Sequence, residues 1–357
     1  MSTISTFHTL GTDPNFLDSF FANSRLSFIG SYRQRTSNEK TTNAAILPLS
    51  DAKSIDKCKR YVFHIDMDCF FANVVLRKYP QYRDKPVAIS HHGKKHGDHP
   101  HPGMEDLMVS EKSTSECATC NYHARQFGIK KGMFLGRARQ LCPDLVVLQY
   151  DFAGYEEVSE QVLSILHRVA AEYHGCVEPV SCDEAYMELY LPSIMDPNDS
   201  TPSSTTTTNN HAGDIAEFVR QEIFETTECT ASIGVAENKF LAKVGTDRVK
   251  PNGTFVVTDH HEVLKSLRLR DLHGIGYRSE PKLSAEGLVT VQDVWDLGSR
   301  GETVLSNILG PGLGKKIFSF CHGRDDRQVK PAERKTIGAE CNYGVRFDGP
   351  YGIDHFM

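Results

Sequence analysis

From Tyr61 to Met67 the side chains alternate in the sense of a β-strand, with Tyr61, Phe63, Ile65 and Met67 on one face and Val62, His64, Asp66 and Asp68 on the other. An apolar run therefore ends in carboxylates. Val177 to Leu189 also reads as extended chain and contains Ser181-Cys182-Asp183-Glu184. Neighbours in a regular strand point oppositely, so Asp183 and Glu184 can converge only at a bend or hairpin tip, and Pro179 fits such a break. Between and around these segments the pattern predicts a helix over Phe70 to Tyr79 stopped by Pro80, a strand at Pro86 to Ile89, and a helix over Asn121 to Phe127 ended by Gly128. Gly154 to His174 is an amphipathic helix with Tyr155, Val158, Val162, Ile165, Leu166 and Val169 on one stripe. A helix over Ile215 to Glu225, a strand over Thr230 to Val235 and a helix over Asn238 to Arg248 follow. Near the start, Phe16, Leu17, Phe20 and Phe21 predict a short amphipathic helix ending near Asn23.

Between the periodic segments the polar run Gln34 to Asn43 reads as a linker, and His91 to Pro102 as a His-, Gly- and Lys-rich loop. Pro192 to Asn210, with its run Thr205 to Thr208, is low in complexity and is expected to be a disordered insertion. From His260 the texture changes to short helices and Gly-rich turns. Leu272-His273-Gly274-Ile275-Gly276 resembles a helix-hairpin-helix, in which backbone N–H groups of a Gly turn can face a DNA phosphate. Gly310 to Lys316 is a second basic Gly-rich turn.

A chain of 357 residues, with 39% hydrophobic and 24% charged residues, has the composition of a globular protein of two or three domains. Residues 1–15 do not read as a signal peptide, no apolar run is long enough to span a bilayer, and Met-Ser at the start excludes the myristoylation pattern. These features predict an intracellular chain. The ten cysteines follow no repeating framework, so disulfides are not expected. A net charge of −6 is awkward for a nucleic-acid binder and puts the weight on local charge distribution.

If the two acidic segments lie side by side, Asp66, Asp183 and Glu184 make a hard-oxygen site without a Cys or His ligand, which suits Mg2+. Such a site serves phosphoryl or nucleotidyl transfer with two metals clamping the attacking and leaving oxygens. Any one of these acids alone is an ordinary strand-end residue. Two acidic strand ends in one chain weaken that simpler explanation. Tyr122 and Arg125, at i and i+3 on one helix face, can both reach a polyphosphate or simply stack on each other. Cys117-x-x-Cys120 and the His-rich loop raise zinc, but no second Cys/His pair follows at ligand spacing. Lys239, Lys243, Arg248 and Lys250 read alone as a solvated cationic face.

Taken together, Asn23-Ser24-Arg25-Leu26, Phe63 to Phe71, Asn121 to Met133, Ser181 to Glu184, Lys250-Pro251-Asn252-Gly253, Leu272 to Gly276 and Asn342 to Phe347 resemble, in order, the Y-family translesion DNA polymerases, and among them the deoxycytidyl transferase subfamily. The resemblance runs from Asn15 to about Phe356. It implies that Asp66, Asp183, Glu184 and the Met67 carbonyl hold two Mg2+ ions, and that Asp68 is not a direct ligand. It implies that Phe70 and Phe71 line the triphosphate and sugar, with Phe71 excluding a 2′-OH. Thr119, Tyr122, Arg125 and Lys250 would bind the triphosphate. Arg25 would pair with incoming dCTP while Leu26 fills the place of a swung-out template guanine, and Gly274 and Gly276 would contact DNA. Parallel guanidinium donors match the adjacent O2 and N3 acceptors of cytosine, whereas thymine and guanine would set donor against donor and adenine offers one suitable acceptor.

The expected architecture is an α/β right-hand polymerase core. Residues 1–57 form an extension carrying the templating arginine, 58–78 and 147–257 the palm with a disordered insertion at 192–212, and 79–146 the fingers with the His-rich loop at 91–102. Residues 258–331 form a helical thumb, and 332–357 the start of a little-finger domain that is otherwise largely absent. The expected activity is transfer of dCMP to a primer 3′-OH opposite guanine, abasic sites and damaged bases, in the nucleus, on primer-template DNA. A longer form would add other translesion polymerases or a sliding clamp as partners. Two rivals are a catalytically silent DNA-binding or scaffold protein, favoured by the missing C-terminal grip, and a nucleotidyl cyclase, disfavoured by the helix-hairpin-helix and Arg25.

Overall fold

The computed structural model describes residues 58–90, 113, 115–192 and 204–331. The predicted helix at Phe16–Phe21, Arg25 and Leu26, the His-rich loop and residues 332–357 lie outside the described residues.

The centre is strand β1 (Cys58–Met67), in which Tyr61, Val62, Phe63, His64, Ile65 and Met67 are all buried. Both faces are covered, so β1 is the middle of a five-stranded sheet rather than an edge. It pairs antiparallel with β6 (Glu184–Pro192) on one side and with β7 (Ala231–Ala236) on the other. Strand β5 (Cys176–Pro179) completes a hairpin with β6, and β8 (Thr254–Val256) runs parallel to β7, giving the order β5-β6-β1-β7-β8. The bend expected at Asp183 is the tip of the β5–β6 hairpin. There the amides of Val180 and Ser181 donate to the Glu184 carbonyl at 2.9 and 3.0 Å.

Helix α1 (Phe70–Leu76) follows β1 directly, and α4 (Phe152–Glu172) is capped by the Asp151 carboxylate accepting from the Gly154 amide at 3.3 Å. The stripe read from the sequence is the buried one: Tyr155, Val158, Val162, Ile165, Leu166 and Val169. Helix α5 (Ser204–Thr227) lies beside α4 and packs on β7. Its start corrects the expected disordered insertion, because residues 204–212 are helical. Ala212, Ile215, Ala216, Val219 and Ile223 form a buried stripe, and a helix nucleated there extends back through the Thr run one hydrogen bond per residue.

Helix α6 (Lys239–Val249), capped by Asn238, crosses β1 and β7. The crossing is tight because of Gly234: a Cβ there would sit 2.0 Å from the Ala242 carbonyl oxygen and 2.3 Å from the Thr246 nitrogen.

A second sheet, β3-β2-β4, is made of β2 (Val87–Ile89), β3 (Thr119–Cys120) and β4 (Val146–Leu148), joined by α2 (Tyr122–Gln126) and α3 (Leu135–Leu141). Cys117 and Cys120 are buried in its core with Ala124, Ile129, Leu135 and Leu145, and the nine described cysteines are free thiols. Among the described residues, five short α-helices follow β8: α7 (His260–Lys265), α8 (Glu280–Ala285), α9 (Val291–Asp296), α10 (Gly301–Leu309) and α11 (Pro311–Cys321). Their core, with Leu264, Leu272, Leu283, Val294 and Ile317, is continuous with Val62, Tyr186 and Phe240 of the sheet layer. Phe240 stacks on Phe320 with centroids 4.4 Å apart.

Candidate active site

The two acidic segments meet in register: Asp66, near the end of β1, is paired with Glu184, the first residue of β6, and the Met67 amide donates to the Asp183 carbonyl at 2.9 Å. Antiparallel pairing of two apolar runs thus delivers three carboxylates to one end of the sheet.

Burial pushes the Asp66 carboxyl up, Lys250 pulls it down, and the nearby Asp183 and Glu184 charges raise it again, leaving it at about 6. The Lys250 ammonium lies 2.7 Å from Asp66 Oδ2. Asp183 is raised chiefly by burial, with Ser181 Oγ donating to its Oδ1 at 2.5 Å in the opposite sense. Burial would raise Glu184 too, but hydrogen bonds from His64 and Lys243 outweigh it and hold the carboxyl at about 2. Its Oε1 accepts from His64 Nε2 at 2.7 Å and from Lys243 Nζ at 2.8 Å.

This donor set fits a divalent cation. Asp66 and Asp183 carry more negative charge than their surroundings favour, and carboxylate oxygens are the ligands that hard cations take. Ligand atoms of His64, Asp66 and Glu184 lie within 4.8 Å of one another. His64, however, is fully buried and both its ring nitrogens are engaged, Nε2 by Glu184 and Nδ1 by Thr246 Oγ1 at 2.9 Å.

Asp68 points into the fold. Its two oxygens accept from Ser232 Oγ and from the Asn252 amide, both at 2.8 Å, which ties the Lys250 to Gly253 turn to the end of β1. Phe70 is buried, 3% exposed, while Phe71 stays partly exposed and stacks on Tyr155 at 4.3 Å, so of the pair Phe71 is the one with surface to offer a ligand. Arg125 lies 4.6 Å over the Tyr122 ring and its Nε donates to the Cys120 carbonyl at 3.3 Å. Burial raises the Tyr122 phenol to about 12. Thr119, on β3, is half-buried.

In the last helical region Gly274 takes φ +111°, and Gly276 has open space where a Cβ would sit. The Ser279 and Glu280 amides donate to the Gly276 carbonyl at 2.9 and 3.0 Å, closing the turn into α8. Arg25 and Leu26 lie outside the described residues.

Periodicity alone assigns three residues of the site no role: His64 falls on the Asp66 face, Lys243 on a cationic helix face, and Thr246 carries no signal. Their roles come from the α6 crossing over Gly234, a contact across more than a hundred residues that strand and helix periodicity does not encode.

A family model described as impB/mucB/samB family matches residues 65–247. The chain is 33% identical over 401 residues to the DNA repair protein Rev1 of Drosophila melanogaster, covering 99% of this chain and 38% of that one. It is 34% identical over 346 residues to REV1 of Arabidopsis thaliana, covering 95% and 28%. With DNA polymerase IV of Mannheimia succiniciproducens it shares 38% identity over 284 residues, covering 79% and 69%. The chain thus spans well under half the length of these two Rev1 relatives. Among solved structures, an insertion ternary complex of Dbh DNA polymerase aligns with TM-score 0.59 and 25% identity, over 76% of this chain and 69% of that one. DinB from Sulfolobus solfataricus aligns with TM-score 0.57 at 25% identity, over 76% and 69%.

Proposed function

The chain belongs to the impB/mucB/samB family, whose members here include Y-family DNA polymerases, and on that premise we propose that it acts in translesion synthesis as a deoxycytidyl transferase. The observation that carries the proposal is the register of Asp66 against Glu184, with Asp183 at the hairpin tip beside them.

In the proposed reaction a primer 3′-oxygen forms a bond to the α-phosphorus of dCTP, the bond from that phosphorus to the bridging oxygen breaks, pyrophosphate leaves, and the 3′-OH proton passes to solvent. Asp66, Asp183, Glu184 and the Met67 carbonyl would hold two Mg2+ ions. When bound, these supply Lewis acidity and charge neutralisation at the attacking and leaving oxygens. Lys250, whose ammonium lies 2.7 Å from Asp66, would share it with the triphosphate, and the stacked Tyr122 and Arg125 would offer a phenol and a guanidinium to the same group. Phe71 is the proposed barrier to a 2′-OH. Gly274 and Gly276 would present backbone to a DNA phosphate, where a side chain would keep it away. Arg25 would select dCTP and Leu26 would take the place of the displaced template base. The Rev1 relatives, similar along nearly the whole chain, support this finer assignment.

Single-nucleotide primer extension tests it, with each dNTP in turn opposite guanine and opposite an abasic site. Selective dCMP addition is expected, abolished by Asp183→Ala/Glu184→Ala and losing its dCTP preference in Arg25→Ala. An Arg25→Ala protein that keeps full dCTP preference would sink the protein-templated part. Primer-template binding without any extension would make the chain a silent binder.

A further inference from the structure

We propose that His64, fixed from behind by Thr246, is a positioning residue that aims the Glu184 carboxylate at the metal site. The inference rests on the reading of Asp66, Asp183 and Glu184 as a divalent-metal site.

His64 is 0% exposed and forms no part of a solvent-facing surface. A carboxylate oxygen accepts, so the ring proton belongs on Nε2, 2.7 Å from Oε1. Nδ1 then faces the Thr246 hydroxyl at 2.9 Å. The hydroxyl is itself pinned beside the His64 carbonyl at 2.9 Å and the Ala242 carbonyl at 3.2 Å. The Glu184 carboxylate sets the tautomer, the single Thr246 hydroxyl proton then donates to Nδ1, the two contacts fix the ring plane, and Tyr186, with its centroid 4.7 Å away, packs against the ring. Lys243, one turn before Thr246 on α6, puts its ammonium on the same Oε1 at 2.8 Å. With Oε1 occupied by two donors, the other oxygen of Glu184 is the one left for a ligand. Gly234, paired with His64 across β1 and β7, makes the arrangement possible, since any side chain there would push Thr246 off the ring. Outer partners of this kind change metal affinity by about 10–100-fold when removed.

The test measures Mn2+ binding by electron paramagnetic resonance to the full chain with dCTP and primer-template DNA ended by a dideoxynucleotide. Wild type, His64→Phe, His64→Gln, Thr246→Val and Asp183→Ala/Glu184→Ala are compared, and their Mn2+ dependence of primer extension is measured in parallel. Phe keeps the ring volume, and Gln restores a donor near the Nε2 position. The expected result is Mn2+ affinity at least about 10-fold weaker in His64→Phe, weaker in Thr246→Val, and within about 3-fold of wild type in His64→Gln. Extension by His64→Phe should recover at saturating Mn2+, which a packing defect would not do. His64→Phe with wild-type affinity, or His64→Gln as weak as His64→Phe, overturns the proposal. So does nitrogen hyperfine coupling showing His64 bonded to the ion. If His64→Phe does not fold, Thr246→Val with wild-type affinity overturns it. Wild type binding no more Mn2+ than Asp183→Ala/Glu184→Ala would instead overturn the metal-site reading itself.

Discussion

Replacing Asp66 by Asn should stabilise the metal-free protein at neutral pH while removing a residue proposed to hold metal. The folded state keeps the Asp66 proton up to a pH of about 6, against 3.8 for an ordinary aspartate. That difference is worth about 3 kcal/mol, and with the side chain only 18% exposed, solvent screening removes little of it. The sign follows from proton uptake. Between about 4 and 6 the folded chain binds a proton that the unfolded chain has released, so stability falls as pH rises through this window and the full cost is present above it. Glu184, held down at about 2, works oppositely: its contribution is present above its ordinary value of 4.5 and is lost as pH falls toward 2. The two windows barely overlap, and Asp66→Asn isolates the upper one. Urea titrations in EDTA at pH 7.5 and pH 5 should show Asp66→Asn more stable than wild type by about 2–3 kcal/mol at pH 7.5, roughly a 1 M rise in midpoint. The advantage should shrink toward pH 5. Added Mg2+ should raise the wild-type midpoint and leave Asp66→Asn nearly unchanged. Equal stability at pH 7.5, or an advantage that grows on acidification, would refute the assignment of buried excess charge to Asp66.

Three further outcomes are expected. Lys250→Met removes the ammonium 2.7 Å from Asp66, which should lift the Asp66 carboxyl further and raise the KM for dCTP by about 10–100-fold, the worth of one charge-assisted hydrogen bond; steady-state extension kinetics measure it. Gly234→Ala forces α6 away from β7 and should cost about 1–3 kcal/mol in urea unfolding, with Mg2+ affinity falling alongside because Thr246 and Lys243 move with the helix. Gly274→Val, at φ +111°, should weaken primer-template binding in a fluorescence titration and reduce its salt dependence if a backbone phosphate contact is lost.

The strands, the long helices and the hairpin bend at Asp183 were legible because their causes are local. Period-two alternation marks β1, a 3.6-residue stripe marks α4, and two adjacent acids on an extended chain demand a turn. The helical Thr run was misjudged because its stability comes from the buried stripe that follows it, not from its own composition. The cations of α6 were ambiguous for the same reason. Lys243 and Arg248 sit five residues apart on one helix, yet Lys243 reaches Glu184 while Arg248 lies 5.4 Å over the Phe255 ring. Which helix face meets the acids depends on how α6 packs on the sheet, and its close approach there depends on Gly234 of β7.

The position of β1 in the chain has a consequence for how the protein is made. This strand sits in the middle of the sheet, yet both of its neighbours are encoded after it, and the hydrogen bonds between His64 and Thr246 and from Lys250 to Asp66 span 182 and 184 residues. At ribosomal rates of about 5–20 residues per second, its apolar segment emerges on the order of ten seconds before even the nearer partner strand, β6, is made. During that interval Tyr61, Val62, Phe63 and Ile65 form an unpaired, hydrophobic, β-prone stretch, the kind of sequence that chaperones hold and that aggregates pair with. Yield of soluble chain during expression should therefore depend on how fast the second half of the sheet arrives.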